Sequence, residues 1–328
     1  MKYDFVGIGD TVVDAFIKLR EARIHCKINK EQCEICMQFG SKIPYDSVDV
    51  VAAVGNSANA TVAAARLGLS SALITNIGDD IYADDCLRSL RENNVSVEYV
   101  KKNSGKKTNY HYVLWYEDDR TILIKHEKYK YSLPEMEAPK WLYLSSLGED
   151  SIEFNETIKE FLEPRLETKL IFQPGTFQSR SGFKSLSYFY KRAEVFISNK
   201  EEAEQILSLN TTDIKELLKK MHELGPSIVL ITVGPEGAYA YDGSRFLFMP
   251  PYPDPKPPFE RTGAGDAFSS TVAIALAKGL DLETALMWGP INAMSVVQKV
   301  GAQAGLLTEK ELHKLLEEAP NNYKVRLI

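Results

Sequence analysis

The segment ERTGAGDAFSSTVAIALAKG, residues 260–279, places two glycines and a carboxylate directly before an apolar run typical of a buried helix. Glycine lets the backbone approach a ligand closely, and the first turn of a helix offers unpaired N–H groups and partial positive charge. We therefore expect Gly263, Ala264 and Gly265 to form an anion hole. Asp266, held ionised by the helix dipole, would accept a proton from an attacking hydroxyl. An anion hole next to a general base predicts phosphoryl transfer, a reaction that depends on the positioning of the reactants and on stabilisation of the charge on the phosphoryl group.

A purely structural interpretation of the same segment stays open. The glycines would then make a tight turn, and Asp266 would cap the helix that follows. The rest of the sequence has to decide between these two interpretations.

The bulk composition is ordinary for a soluble globular protein. The chain has 328 residues, of which 44% are hydrophobic and 26% charged, and its net charge is −6. That charge argues against a general nucleic-acid or acidic-membrane surface. The amino terminus does not resemble a signal peptide, and no apolar run approaches the roughly 18 residues of a membrane span. We therefore expect a cytoplasmic protein with a small-molecule partner, without nucleic acid or membrane.

Cysteines are few, and three of the four lie close together. Four in a chain of this length suggest no disulfide framework and a reducing compartment. Cys26, Cys33 and Cys36, with His25, offer four potential zinc ligands, but the usual two ligand pairs separated by a longer loop are missing. The favoured interpretation is that these cysteines are small apolar residues in a strand-rich insertion.

Alternating strand and helix patterns organise the chain. Apolar strand-like runs such as YDFVGIG alternate with amphipathic helix-like runs, and helices are predicted at residues 264–278 and about 283–299. This pattern predicts a parallel sheet with helices on both faces in a single α/β domain of residues 1–328. Two β-rich insertions, about residues 15–52 and 97–128, are expected to pair into a small accessory sheet that covers the site as a lid.

Five motifs occur in one order along nearly the whole chain. They are GIGDTVVD at residues 7–14, VGNSANATVAAARLG at 54–68, NKEE at 199–202, TVGPEGAY at 232–239 and RTGAGDAF at 261–268. Together they resemble the signatures of the ribokinase-like (PfkB) family of carbohydrate and nucleoside kinases. The resemblance implies a three-layer α/β/α fold with a mainly parallel central sheet and a small β-sheet lid. It also implies ATP and Mg²⁺ as cofactors, with Asp266 as the base.

The resemblance assigns a nucleotide side to the site. Glu202, with Asn199, would hold magnesium through water, since magnesium keeps several of its waters. Asn292 would lie beside the adenine. The alternative is that Asn292 is a polar residue of the protein interior. The backbone would pass close to the ATP phosphates and ribose at Thr232, Gly234 and Gly237.

The resemblance also assigns an acceptor side. Asp14 would bind substrate hydroxyls, Gly55 would leave room for the substrate, and Asn56 and Asn59 would supply adaptable hydrogen bonds. For Asn59, capping of the helix is the competing interpretation. The aromatic residues of the predicted hairpin would either close over the substrate or pack the lid itself: Tyr110, Tyr112 and Trp115. The lid is also a candidate surface for a homodimer, since an exposed sheet has edges that seek a partner.

Three positions depart from the family pattern. Val54 stands where a glycine is usual, which narrows that side of the pocket. Glu260 and Arg261 stand where aspartate and threonine are common, and in many members that aspartate helps to bind a monovalent cation. Because Glu260 is longer and Arg261 brings a fixed charge, we expect weak or absent activation by potassium.

The sequence favours an ATP-dependent kinase that phosphorylates a sugar hydroxyl, because Asp14, Asn56 and Asn59 suit hydroxyl recognition. A nucleoside (adenosine-like) acceptor remains the alternative, with the hairpin aromatics as a slot for its base. A catalytically silent ligand-binding relative is a second alternative, opposed by the intact Asp266 and Glu202. A dinucleotide fingerprint in VGIGD, which would indicate an oxidoreductase, is weak because it lacks the third glycine and a clear helix.

Overall fold

The computed structural model describes residues 3–26, 33–117 and 119–328. The strands of this part of the chain are, in order, β1 (Phe5–Ile8), β2 (Val12–Leu19), β3 (Arg23–His25), β4 (Glu34–Cys36), β5 (Tyr45–Val54), β6 (Ser71–Ile77), β7 (Val100–Lys102), β8 (Asn109–Tyr116), β9 (Asp119–Leu123), β10 (Trp141–Leu144), β11 (Lys169–Phe172), β12 (Ala193–Asn199), β13 (Ile228–Thr232), β14 (Ala238–Tyr241), β15 (Phe246–Met249) and β16 (Arg326–Leu327).

The helices alternate with the strands of the main sheet. They are α1 (Asn56–Arg66), α2 (Ile81–Glu92), α3 (Ile152–Leu162), α4 (Thr176–Arg192), α5 (Lys200–Leu207), α6 (Ile214–Glu223), α7 (Ala264–Ala277), α8 (Leu282–Val296) and α9 (Glu309–Glu317). The predicted helices at 264–278 and about 283–299 correspond to α7 and α8, with ends that differ by at most three residues. None of these helices is both long enough and apolar enough to cross a membrane.

The main sheet has the strand order β16-β15-β14-β13-β12-β11-β10-β1-β6-β7. Its strands pair in parallel from β7 to β13, and the β14–β16 edge is antiparallel. The central strands β1 and β10 are buried along their whole length because helices cover both faces. One core contains residues of α1, α2, α7, α8 and α9, and the other contains residues of α3 to α6. The predicted three-layer α/β/α fold with a mainly parallel sheet is therefore confirmed.

The two β-rich insertions form a separate four-stranded sheet in the order β5-β2-β8-β9, called the lid sheet here. Strand β2 pairs antiparallel with β5 and parallel with β8, so the first insertion meets the second at this junction. The segment VGIGD, residues 6–10, contains the end of β1 and is followed directly by strand β2 and not by a helix. This continuation excludes the dinucleotide fingerprint.

The clustered cysteines form a disulfide, which the sequence analysis did not expect. Strands β3 and β4 pair His25 with Glu34, and this register brings the next two residues, Cys26 and Cys33, opposite each other. Their sulfur atoms are bonded, with the Cα atoms 4.0 Å apart. Those two sulfurs are therefore not available to a zinc ion, and no cluster of metal-binding side chains occurs in the described residues.

Candidate active site

A cavity of about 370 Å³, called the first cavity, opens at the carboxyl ends of the central parallel strands. Asp10, Gln173 and Thr232 line it at the ends of β1, β11 and β13. This edge of a parallel sheet is the usual ligand site of such folds. The cavity gathers most of the predicted site residues: Asp14, Gly55, Asn56, Asn59, Asn199, Glu202, Thr232, Gly263, Gly265 and Asp266.

A second cavity, of about 480 Å³, lies against the amino-terminal end of α7 and one face of α8. It contains the predicted nucleotide residues Gly234 and Gly237, together with Ala264. The two cavities share Thr232, Arg261 and Gly265 in their walls. A group bound in the second cavity can therefore meet a group bound in the first at the start of α7.

Asp266 lies at this junction, and two amides hold its carboxylate. Asn59 donates from Nδ2 to Oδ2 at 2.8 Å, and Gln173 donates from Nε2 to Oδ1 at 3.4 Å. Gln173 in turn accepts a hydrogen bond from the hydroxyl of Tyr143. Removal from water raises the pKa of Asp266, the nearby charge of Asp14 raises it further, and the two amide hydrogen bonds oppose the rise. A fixed carboxylate with a raised pKa suits a general base.

The backbone before α7 has the shape expected of an anion hole. Gly263 precedes the helix with φ +82°, a conformation that glycine adopts without strain. Within the described part of the chain, the N–H groups of Gly263, Gly265 and Asp266 make no hydrogen bond. The N–H of Ala264 is directed to the carbonyl of Arg261 at 3.4 Å, so the available donors differ by one residue from the predicted set.

Both polar atoms of the Asn59 side-chain amide make hydrogen bonds within the protein. Besides the bond to Asp266, its Oδ1 accepts a hydrogen bond from Nε2 of Gln303 at 2.9 Å. The side chain is 4% exposed. Asn59 thus contacts Asp266 from the wall of the first cavity, and its predicted contact with the substrate stays a prediction, whereas it does not cap α1. Gly55, the residue before α1, takes the cap position.

The other acceptor-side residues face the first cavity. Asp14 lies in β2 with Oδ1 3.4 Å from Nδ1 of His111. Asn56 also lines the cavity, and its side chain makes no hydrogen bond to the described residues. Gly55 has φ +117°, and a Cβ atom there would lie 2.6 Å from the carbonyl oxygen of Asp10. Val54 also lines this cavity, as its departure from the family pattern suggested.

Asn199 and Glu202 hold each other at the start of α5. The N–H of Glu202 donates to Oδ1 of Asn199 at 2.7 Å, and the N–H of Asn199 donates to Oε2 of Glu202 at 3.0 Å. Burial raises the pKa of Glu202, and so does the charge of Asp266, while the Asn199 N–H lowers it. The Oε1 atom of Glu202 makes no hydrogen bond within the described residues. Two nearby carboxylates facing one cavity are suited to a divalent cation with oxygen ligands.

Glu260, at the beginning of the motif, is buried with one carboxylate oxygen unused. Its Oε1 accepts hydrogen bonds from the N–H of Thr262 at 2.7 Å and from its hydroxyl at 2.5 Å. Its Oε2 is buried and has no hydrogen-bonding partner in the described part of the chain. A buried carboxylate oxygen of this kind fits a cation ligand.

Asn292 does not line either cavity. It is fully buried in α8, donates to Oγ1 of Thr271 at 2.8 Å and accepts from the N–H of Leu307 at 2.9 Å. Its neighbours Ala293 and Met294 line the second cavity instead. Successive residues of a helix point about 100° apart around its axis. Where the sequence predicted a contact of Asn292 with an adenine, the residues that follow it therefore form an apolar wall.

Sequence reasoning missed several residues of the first cavity. Among these, Gln173 follows β11 in a segment without a recognisable motif, and the lid supplies His111, Arg120 and His126. The strand-end position of Gln173 and the alternation of side chains along β8 were the signals that could have found them.

Comparisons with known proteins identify the family and the fold. The model of the pfkB family of carbohydrate kinases matches residues 18–309. A ribokinase of Bacillus subtilis is 28% identical over 269 residues, which cover 80% of this chain and 87% of that protein. Among solved structures, an Arabidopsis thaliana ribokinase complexed with ribose and ATP has a TM-score of 0.78 at 18% identity, covering 97% and 99% of the two chains. A nucleoside kinase of Methanocaldococcus jannaschii has a TM-score of 0.77 at 19% identity, with the same coverage.

Proposed function

The chain belongs to the pfkB family of carbohydrate kinases, and we propose that it transfers the γ-phosphoryl group of ATP to a hydroxyl of a sugar with Asp266 as the base. One observation carries the proposal: the two cavities meet at Gly265, beside the carboxylate of Asp266. The second cavity would hold ATP, and the first cavity would hold the acceptor.

The transfer follows from the positions of the groups at the junction. The acceptor hydroxyl donates its proton to Asp266, whose orientation is fixed by Asn59 and Gln173. The hydroxyl oxygen forms the new bond to the γ-phosphorus as the bond to the β-phosphate oxygen breaks, and ADP leaves. The free N–H groups of Gly263 and Gly265 stabilise the charge on the phosphoryl group in transit.

Magnesium, when bound, would neutralise charge on the nucleotide phosphates. Glu202 is the residue proposed to hold it, through its free Oε1 atom, and Asn199 fixes the orientation of Glu202. Gly234 and Gly237 line the second cavity, where residues without a side chain would let the backbone approach ATP.

A sugar is favoured over a nucleoside by the positions of the lid aromatics. Tyr110 packs against Tyr82 and Tyr112, with ring centroids 4.8 and 5.2 Å away. Trp115 is 3% exposed and contacts Phe259 edge-on. None of the three predicted aromatics lines the first cavity, so they do not offer a slot for a base there.

An ADP-release assay against neutral sugars, sugar phosphates, sugar acids and nucleosides tests the proposal. We expect turnover with at least one sugar and none with nucleosides. Turnover with a nucleoside alone would establish the alternative acceptor. Tight ATP binding without turnover of any acceptor would favour a silent ligand-binding relative.

Potassium is expected to activate the enzyme, contrary to the expectation from sequence, because Oε2 of Glu260 is buried without a hydrogen-bonding partner among the described residues. Turnover measured in potassium and in a bulky organic cation should differ, with saturable activation by potassium. The Glu260→Gln variant should lose the activation. Equal turnover rates in the two cations would show that no activating monovalent cation binds at Glu260.

We also propose that the lid sheet pairs two copies of the chain. Val50, Tyr112 and Leu123 lie on one face of this sheet, in a single row across it with Ala15. These three side chains are 53%, 49% and 51% exposed, and a contiguous apolar face of this kind marks an interface.

The Leu123→Lys variant is expected to be monomeric while the unmodified protein is a dimer, because the charge would be buried in the interface. Sedimentation measurements at micromolar concentration decide this. Leu166→Lys makes the same change at a 77% exposed leucine away from the lid and should remain dimeric. A monomeric unmodified protein would contradict the proposal.

A further inference from the structure

The lid side of the first cavity carries basic side chains that the phosphoryl transfer described above does not use. His111 on β8, Arg120 on β9 and His126 after β9 line the same cavity as Asp266. The register pairs Asp14 with His111 and Trp115 with Arg120. Because side chains alternate along a strand, His111 and Arg120 lie on the same face of the lid sheet, the one that faces the cavity.

Each histidine lies beside a carboxylate of the same cavity. Nδ1 of His111 lies 3.4 Å from Oδ1 of Asp14, and Nδ1 of His126 lies 3.1 Å from Oδ2 of Asp10. The two rings are neighbours, with centroids 5.3 Å apart. Because Nδ1 of each ring lies next to a carboxylate oxygen, Nε2 is the ring nitrogen available to a ligand. Nε2 of His111 is buried and has no hydrogen-bonding partner within the described residues.

Asp10 is committed to this arrangement and is not free to bind a sugar hydroxyl. Besides His126, its carboxylate accepts from the hydroxyl of Tyr131, 3.0 Å from each oxygen, and from the N–H of Gly148 at 2.9 Å. The side chain is 3% exposed. Asp10 therefore fixes the position of His126.

Arg120 adds a permanent positive charge. Its Nη1 atom lies 3.2 Å from Oδ1 of the adjacent Asp119, and the guanidinium has further N–H donors. The side chain is 30% exposed. A guanidinium in the wall of a cavity loses hydration when a ligand fills it, and an oxyanion on the ligand replaces that hydration with charge-assisted hydrogen bonds.

We infer that the acceptor is an anionic sugar, whose phosphate or carboxylate group is bound by Arg120, His111 and His126 while its reacting hydroxyl lies at Asp266. The inference rests on the proposed kinase function and narrows its substrate class. Asp14, between the two ends, remains the acceptor for the other hydroxyls of the sugar. The cavity of about 370 Å³ is in the usual range for a small-molecule site.

The kinetic test uses matched acceptors: a neutral sugar, its phosphate ester and the corresponding sugar acid. An anionic member of a set should exceed its neutral parent in kcat/KM by at least about 100-fold, which is a lower bound for two or three charge-assisted hydrogen bonds. The phosphate and carboxylate members distinguish the two kinds of oxyanion. Rising ionic strength should increase KM for the anionic member and not for the neutral one.

Substitutions in the lid sheet test whether its residues cause the preference for anionic acceptors. Arg120→Met should lower the ratio of anionic to neutral kcat/KM by about 10-fold or more, mainly through KM. Lys125→Met removes the same charge at a side chain that is 69% exposed and pairs with Glu127 outside the cavity. This control should keep the ratio of the unmodified protein. An unchanged ratio in Arg120→Met would overturn the role of that residue.

Calorimetric measurement of sugar binding to the Asp266→Asn variant tests the anionic acceptor separately from the proposed kinase function. Preferential binding of an anionic sugar, lost in the Asp266→Asn, Arg120→Met double variant, would support the inference even if no acceptor were phosphorylated; the kinase proposal alone would then fail. Equal preference for neutral and anionic members in both assays would overturn the inference and leave a neutral-sugar kinase.

Discussion

Replacing Asp266 by asparagine is expected to reduce kcat by at least about 1,000-fold, because asparagine cannot accept the proton of the attacking hydroxyl. ATP should still bind, since its cavity is formed by other side chains. The amide keeps an oxygen for the 2.8 Å bond from Asn59 and loses only the 3.4 Å bond from Gln173. Steady-state kinetics with an established acceptor, together with ATP binding, measure both parts.

The same variant should not be less stable at neutral pH. Asp266 has a folded-state pKa above its ordinary value of 3.8. Ionisation of Asp266 therefore lowers the stability of the fold by the full amount above the folded-state pKa. This loss of stability decreases as the pH falls through that value and is gone below the unfolded-state pKa. In the unmodified enzyme, turnover should decrease as the pH falls through the same raised pKa, since the base must be ionised. A thermal melt and a pH profile test these two statements.

Asp84→Asn is the matched control for Asp266→Asn. Asp84 also lies in the first turn of a helix, α2, and its side chain is 71% exposed. This variant should retain normal turnover. Near-normal turnover in Asp266→Asn would instead show that another group accepts the proton.

The two glycines that flank Ala264 should respond differently to alanine. At Gly263 a Cβ atom would lie 2.3 Å from Cβ of Ala302, and φ is +82°. The collision and the strained backbone together should destabilise the fold by about 3 kcal/mol and abolish turnover. At Gly265 a Cβ atom would meet nothing within 4 Å. Gly265→Ala should therefore fold normally, with stability raised by about 0.5–1 kcal/mol because alanine favours a helix.

Turnover is nevertheless expected to fall by about 100-fold in Gly265→Ala, because the added methyl displaces the phosphoryl group where the two cavities meet. Chemical denaturation and kinetics on both variants separate folding from catalysis. Gly279→Ala, beyond the other end of α7, tests the cost of positive φ alone: φ is +84°, and a Cβ there would meet nothing within 4 Å. Normal turnover in Gly265→Ala would place the phosphoryl group elsewhere.

Local patterns in the sequence were enough to predict the scaffold, whereas the catalytic roles at the junction of the two cavities stay predictions. The apolar run of β1, the beginning of α7 at Ala264 and the glycine before it depend on neighbouring residues, which the sequence shows directly. The five motifs also predicted the family and the ATP-dependent phosphotransferase activity, and the comparisons confirmed both.

Contacts between distant segments were decided only by the tertiary structure. The Asn59–Asp266 bond joins residues 207 positions apart, and the rotation of α8 directs Asn292 inward while Ala293 faces the second cavity. The register of the lid sheet likewise sets His111 and Arg120 on the cavity face. Sequence periodicity identifies a buried face but not the partner packed against it, because that partner depends on how the elements are arranged around the sheet.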